Sequence, residues 1–258
     1  MKAVILCGGQ GTRLREETEF RPKPMVQIGG RPILWHIMKH LAHFGVRDFV
    51  LCLGYRGTMI KQYFLDYEAM NSDFTICLGR NRTIDYHDGH PEQDYRVTLA
   101  ETGEATMTGG RLKRVERYVA GEDFLLTYGD GVANVNIHAL LEFHKAHECT
   151  GTITTVQPQS RFGMIDIGGN DRVTSFAEKP RSETWINIGF MVLTPKIFDY
   201  LDGDDCVLES APLERLAAEQ QLAAYRHGGF FQAMDTYREF QILNALWNSG
   251  NAPWKIWK

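Results

Sequence analysis

The order of apolar and polar segments predicts an α/β protein, with a mainly parallel mixed sheet flanked by helices and a small β extension in its second half. Three observations carry that prediction. Short apolar runs alternate with amphipathic helical stretches through the first half. Glycine-rich loops fall where the apolar runs end. The second half is richer in strands, and no Pro-, Gly- or Ser-rich linker separates two independent domains. The expected organisation is one domain, with a half at about 1–135 and another at about 136–258 that face each other across a cleft.

Lys2-Ala3-Val4-Ile5-Leu6 reads as a buried parallel strand, since it is apolar without alternation. The stretch from Pro32 through Phe44 is an amphipathic helix, with Ile33, Leu34, Ile37, Met38 and Leu41 on one side. Asp48–Leu53 is a second strand, closed by Gly54. Met59–Tyr67 reads as a helix and Phe74–Leu78 as a third strand. The polar stretch 79–95 is a loop or a hairpin excursion. Arg96–Leu99 is a strand, and Gly110–Val119 a helix with Leu112, Val115 and Val119 inward. Phe124–Tyr128 is a core strand, broken at Gly129-Asp130-Gly131. Strands then follow over 151–157, 163–167, 172–177 and 185–193. Helices return over 195–201, 211–220 and 236–249.

Composition narrows the class. The chain has 258 residues, 43% hydrophobic and 23% charged, which is ordinary for a globular protein. A net charge of −4 leaves no electrostatic footprint for nucleic acid or an anionic membrane. Met1-Lys2 leads straight into the first strand, so no leader is expected, and no apolar run reaches about 18 residues. The five cysteines are scattered without a Cys-x-x-Cys pair, pointing to a reducing, cytoplasmic setting. Cys7 reads as a small apolar filler. His36, His40 and His43, like His144 and His147, lie at helical spacing, but without the Glu of His-Glu-x-x-His they argue for no zinc site.

The most informative run is Gly8-Gly9-Gln10-Gly11-Thr12-Arg13-Leu14, closed by Arg21-Pro22-Lys23-Pro24. A strand that empties into glycines lets backbone N–H groups close on anionic oxygens, and Arg13 adds a planar fork of donors. The spacing fits neither Gly-x-x-x-x-Gly-Lys-Ser/Thr nor Gly-x-Gly-x-x-Gly. Lys23 stands between prolines that stiffen its backbone. Asp130, flanked by glycines, is a hard-oxygen metal ligand or the centre of an Asp-Gly turn. Asp235 is a second carboxylate or, with Thr236, a helix cap. Glu178-Lys179-Pro180 ends a strand, and a lysine before proline is expected to be extended and to offer a point charge to phosphate, or else to mark a surface turn. Arg161-Phe162-Gly163 and Trp185-Ile186-Asn187-Ile188-Gly189 combine glycine, amide and aromatic groups, as a sugar site or as simple turns. In open parallel sheets ligands bind beyond the carboxyl ends of the strands, where all of these fall.

Taken together, these residues resemble the sugar-1-phosphate nucleotidylyltransferases. The family signature Gly-Gly-x-Gly-Thr-Arg-Leu followed by Pro-Lys-Pro runs here from Gly8 to Pro24. A strand-end Gly-Asp, a Glu-Lys-Pro, an Asn-x-Gly and a late Asp-Thr follow in order. The segments Pro32–Lys39, Met107–Arg114, Thr127–Val132 and Ala252–Lys255 are most similar to the branch that takes CTP and glucose 1-phosphate. Departures are Cys7 for the usual alanine, Gln27 for a common acid, and Ile188 for a frequent glycine beside Asn187.

The resemblance implies a Rossmann-like nucleotidyltransferase fold with a sugar-binding β extension. It also implies an in-line attack of the sugar phosphate on the nucleotide's α-phosphorus, with Mg²⁺ as cofactor. By that resemblance Arg13, Lys23, Asp130, Lys179 and Asp235 are the catalytic residues. Leu6, Gly8, Gly9, Gly11, Thr12, Arg13, Lys23, Thr106, Arg111 and Gly129 line the nucleotide, with Thr106 and Arg111 reading the base. Gly163, Glu178, Lys179 and Asn187 bind the sugar phosphate, and Asp130 and Asp235 hold the metal. It further implies a homo-oligomer whose product enters deoxysugar synthesis for surface polysaccharide such as O-antigen. A dTTP- or UTP-dependent enzyme, or a non-catalytic subunit that senses sugar nucleotides, are the alternatives.

Overall fold

The computed structural model describes residues 1–79, 82–87, 89–119, 121–160 and 162–257; Arg161 lies outside the described residues. An eight-stranded sheet runs through the molecule. Lys2–Leu6 is central and pairs in parallel with Asp48–Leu53 on one side and Phe124–Tyr128 on the other. Arg96–Glu101 extends the first side, again in parallel. On the second side Met191–Leu193 runs antiparallel to both Phe124–Tyr128 and Gly151–Val156. Leu222–Arg226 then pairs in parallel with Gly151–Val156.

Side-chain alternation along the central strands divides the core into two layers. Ala3 and Ile5, with Phe49 and Leu51, face the helix Ile33–His43 and its buried residues Ile33, Ile37 and Leu41. Val4 and Leu6, with Val50 and Cys52, face Leu112, Phe198 and Leu216 on the opposite side. Both faces of the central strands are therefore buried, which is why those strands read as unbroken apolar runs. Cys7 and Cys52 are buried free thiols, and desolvation pushes Cys52 up to about 12 and Cys7 well above its usual range. Neither is a reactive thiolate at neutral pH.

Several expected elements change. Phe74–Cys77 is no core strand; it forms an exposed hairpin with Thr83–Tyr86, outside the main sheet. The expected helix at 110–119 begins earlier and breaks into Thr108–Arg114 and Glu116–Val119. The strand at 185–193 is interrupted. Ile186–Asn187 and Met191–Leu193 pair with the same neighbour in different registers, and Gly189 and Phe190 between them have φ of 77° and 47°. Of the strands expected in the second half, Met164–Ile167 and Val173–Ala177 leave the sheet, as a two-stranded arm. The short ribbon of Gly131–Ala133 with Phe231–Ala233 carried no clear signal, because three-residue strands show no usable period.

Candidate active site

The loop after the central strand opens at the point where the chain departs to both sides of the sheet, the place where α/β sheets bind ligands. Gly11 has φ 64°, and an added Cβ would lie 2.9 Å from Thr18 Cγ2, so only glycine fits this turn. The loop turns back along Thr12–Leu14 and then reaches Pro22-Lys23-Pro24. Pro22 is extended, and Lys23–Met25 forms a single 3₁₀ turn.

Lys23 is then delivered to its partners by close packing. A Cβ on Gly129 would stand 2.9 Å from Pro24 Cγ and 3.0 Å from the Leu6 carbonyl oxygen. Gly129 is thus required by the approach of the Pro-Lys-Pro turn to the strand end. The two carboxylates meet through the short ribbon. Gly131 pairs with Ala233, and the Met234 amide donates to the Asp130 carbonyl at 2.8 Å, which places Asp130 and Asp235 side by side. Thr236, not Asp235, caps the following helix Tyr237–Asn248 in a capping box with Glu239. Glu239 accepts from the Asp235 and Thr236 amides at 2.8 and 2.9 Å, so the Asp235 side chain is free to face the cleft.

The Lys23 ammonium donates to Asp130 Oδ2 at 2.6 Å and to Asp235 Oδ1 at 2.5 Å. Arg13 reaches the other Asp235 oxygen at 3.1 Å. Burial alone would lower the pKa of Lys23, but the two carboxylates outweigh it and hold the amine protonated. This cluster stands at the junction of two clefts. One, of about 330 Å³, is lined by Leu6, the glycine loop with Thr12 and Arg13, Lys23, Thr106, Arg111 and Gly129. Asp130 also lies on its wall. The second, of about 490 Å³, shares Arg13, Tyr128 and Asp130 with the first and adds Asn187, Glu209 and Asp235. It continues past Asp235 into a larger groove of about 700 Å³ that Lys179 lines.

Arg111 is buried in the wall of the first cleft. Its terminal nitrogens donate to the carbonyls of Leu53, Gly103, Gly8 and Glu104 and to Thr102 Oγ1, at 2.6–3.2 Å. It therefore ties the glycine loop to the segment leading to Thr106. Lys179 departs from expectation: it has φ 46°, in the left-handed region and not extended. The reason lies at the neck of the arm, where Ser160 N–H donates to the Pro180 carbonyl and Gln159 bridges Arg181, turning the chain. Its ammonium pairs with Glu178 at 3.2 Å, both groups more than half exposed. Gly163 and Glu178 stand together at the base of the arm, and neither lines the clefts.

One residue of the site, Glu209, has no signal in the sequence. Tyr128 donates to Glu209 Oε1 at 2.5 Å, and Thr108 donates to Glu209 Oε2 at 2.6 Å. Glu209 thereby clamps the start of the helix Thr108–Arg114 to the strand end. No motif marks it, since its partners are distant in sequence.

The nucleotidyl transferase family model matches residues 2–231. The chain belongs to the nucleotidyl transferase family. It is 50% identical to the glucose-1-phosphate cytidylyltransferase of Salmonella typhimurium, over the full length of both. It is 30% identical to the mannose-1-phosphate guanyltransferase of Saccharomyces cerevisiae, over 93% of this chain and 63% of that protein. Among solved structures, UDP-glucose pyrophosphorylase complexed with UDP-glucose superposes with a TM-score of 0.68 at 16% identity, covering 96% of this chain and 98% of that one. The inositol-1-phosphate CTP transferase from T. maritima gives 0.65 at 16%, over 94% of each chain. These structural likenesses bear out the mainly parallel, helix-flanked sheet expected of a nucleotidyl transferase. Among the described residues no helix is long and apolar enough to cross a membrane.

Proposed function

We propose that this nucleotidyl transferase moves the cytidylyl group of CTP onto α-D-glucose 1-phosphate, giving CDP-glucose and pyrophosphate. The observation that carries the chemistry is the meeting of Lys23, Asp130 and Asp235 where a glycine-loop cleft opens into a second, sugar-sized one. The full-length identity to a glucose-1-phosphate cytidylyltransferase supports the choice of substrates.

In this reading the amides of Gly8, Gly9 and Gly11, with Thr12 and Arg13, take the triphosphate, and Arg13 steadies the departing pyrophosphate. A phosphate oxygen of glucose 1-phosphate attacks the α-phosphorus in line as the bond to the bridging oxygen breaks, with no covalent enzyme intermediate. Lys23 sits on oxygens at the reacting centre, where negative charge must be held. Asp130 and Asp235 suit a hard divalent cation, since their oxygens already converge on one positive centre, the Lys23 ammonium. A Mg²⁺ ion held by Asp130 and Asp235 would supply charge neutralisation to the reacting phosphates. Thr106 and the segment that Arg111 braces recognise cytosine. Asn187 and Lys179 hold the sugar phosphate from the second cleft and the groove beyond it, with Glu178, paired to Lys179, and its neighbour Gly163 completing that site from the base of the arm.

The protein is further proposed to act in the cytoplasm as a homo-oligomer, feeding deoxysugar synthesis for surface polysaccharide. The arm supports the oligomer, because Phe162, Met164, Ile167, Val173 and Phe176 are each more than half exposed.

Pyrophosphate release with glucose 1-phosphate and each of CTP, UTP and dTTP tests the assignment. CTP should be favoured by about 10²-fold or more in kcat/KM, because a site built around the cytosine amino group leaves polar groups unpaired with the other bases. Equal turnover of UTP or dTTP overturns the cytidylyl reading.

A further inference from the structure

The ammonium of Lys23 occupies the place between Asp130 and Asp235 where a shared divalent cation belongs. It stands 2.6 Å from one carboxylate and 2.5 Å from the other, while Arg13 takes a further oxygen of Asp235 at 3.1 Å. A Mg²⁺ ion bound by both carboxylates sits about 2.0–2.1 Å from their oxygens, so it and the ammonium compete for one small volume. Two positive centres cannot share it, since their repulsion is large at so short a separation. The protein also supplies too few ligands by itself. Among the described residues no group of three or more His, Cys, Asp and Glu side chains is arranged to hold a metal.

The backbone of Lys23 cannot be the moving part. It lies in a 3₁₀ turn next to Pro22 and Pro24, and Pro24 is packed where a Cβ of Gly129 would be. Its four-carbon stem can move, and it lines the same cleft as the glycine loop. A polyphosphate settling on that loop brings several negative oxygens within reach of Lys23 and Arg13. Both cations are then drawn from the carboxylates to the phosphates. The vacated carboxylates and the phosphate oxygens together complete a hard-oxygen shell that neither could form alone.

We propose that Lys23 serves as a built-in stand-in for the metal, so that the divalent cation enters only once a nucleoside triphosphate has drawn the ammonium away. This rests on the metal-binding reading of Asp130 and Asp235 given above. The consequence is reciprocal coupling: triphosphate raises metal affinity, and metal raises triphosphate affinity by the same factor.

The test is Mn²⁺ binding to the full-length protein by water proton relaxation, with and without CTP and with no sugar phosphate present, so that nothing turns over. Wild type should bind Mn²⁺ weakly alone and about 5–150-fold more tightly with CTP, the usual range of such coupling. Lys23→Met, which keeps the stem and removes the charge, should bind Mn²⁺ without CTP at least about tenfold more tightly than wild type. Lys23→Gln should do the same, and thermal melts should show Mn²⁺ alone stabilising both variants but not wild type. Unchanged nucleotide-free Mn²⁺ affinity in both variants overturns the proposal, as does equal affinity of wild type with and without CTP. Asp235→Asn and Asp130→Asn separate the two levels. If both keep the wild-type affinity in the presence of CTP, the metal-binding reading itself is wrong; if they lose it while the Lys23 variants change nothing, only the stand-in role fails.

Discussion

Arg111 shows how a cationic side chain in the wall of the glycine-loop cleft can act through its neighbours. Burial disfavours its charge, yet its donors are committed to four carbonyls and a hydroxyl from three separate segments. A carbonyl left buried without a partner costs about 1–3 kcal/mol. Arg111→Met should therefore lower stability by at least about that amount and loosen the tie between the Gly8 carbonyl and the turn at Gly103 and Glu104. The KM for CTP should rise about tenfold or more, equivalent to about 1.4 kcal/mol of binding. Urea unfolding and initial-rate kinetics check both effects. Wild-type stability with an unchanged KM would remove Arg111 from the site's architecture. That Arg111 lies by the glycine loop is an expectation the motif carries, and the cleft it lines is in keeping with it, but its partners at Leu53 and Thr102 are not legible, because only folding brings them within reach.

At the scale of elements, the helix Ile33–His43 buries His36 and His40 completely or nearly so. The His36 ring donates from Nε2 to the Ile28 carbonyl and accepts at Nδ1 from the Trp254 indole N–H, a pattern open only to neutral imidazole. Burial holds both histidines at about 4, well below their usual 6.5. The unfolded chain thus takes up these protons first as pH falls. Stability from this source is complete above pH 6.5, declines as pH drops from 6.5 towards 4, and changes no further below that. Each histidine contributes about 3 kcal/mol to that decline. Urea midpoints measured between pH 7.5 and 4.5 should fall steadily, and His40→Leu should fall less steeply. An equal slope in the variant would locate the acid sensitivity elsewhere. Helical spacing excludes a zinc motif but does not mark these histidines as core residues, since His43 shares the spacing and is exposed. The three-residue ribbon of Gly131–Ala133 with Phe231–Ala233 is a different matter. The pairing of Gly131 with Ala233 brings Asp130 beside Asp235, yet strands so short carry no period to read.

Across the whole molecule, residues late in the chain close over its first half. Trp254 is fully buried, stacked on Phe230 at 5.6 Å and on Trp247 at 6.3 Å, and hydrogen-bonded to His36. Trp254→Ala should cost about 3–5 kcal/mol by the cavity it leaves. Differential scanning calorimetry would register the loss, and an unchanged melting temperature would show that this closing segment contributes nothing. The same long-range closure assembles the cluster of Lys23, Asp130 and Asp235.

By itself the sequence determined the alternation of strands and helices, the glycine loop, the charged residues beyond the strand ends and the family they mark. Those properties are local, written in periodicity and in motifs a few residues long. Only the tertiary structure decided that Gly129 exists to admit Pro24, that Lys179 is left-handed, that Gly163 and Glu178 stand on an arm off the clefts, and that Lys23 lies between both carboxylates. Each depends on contacts between segments far apart in the chain, and such contacts follow from packing, where a Cβ or a backbone amide from one segment excludes or bonds another.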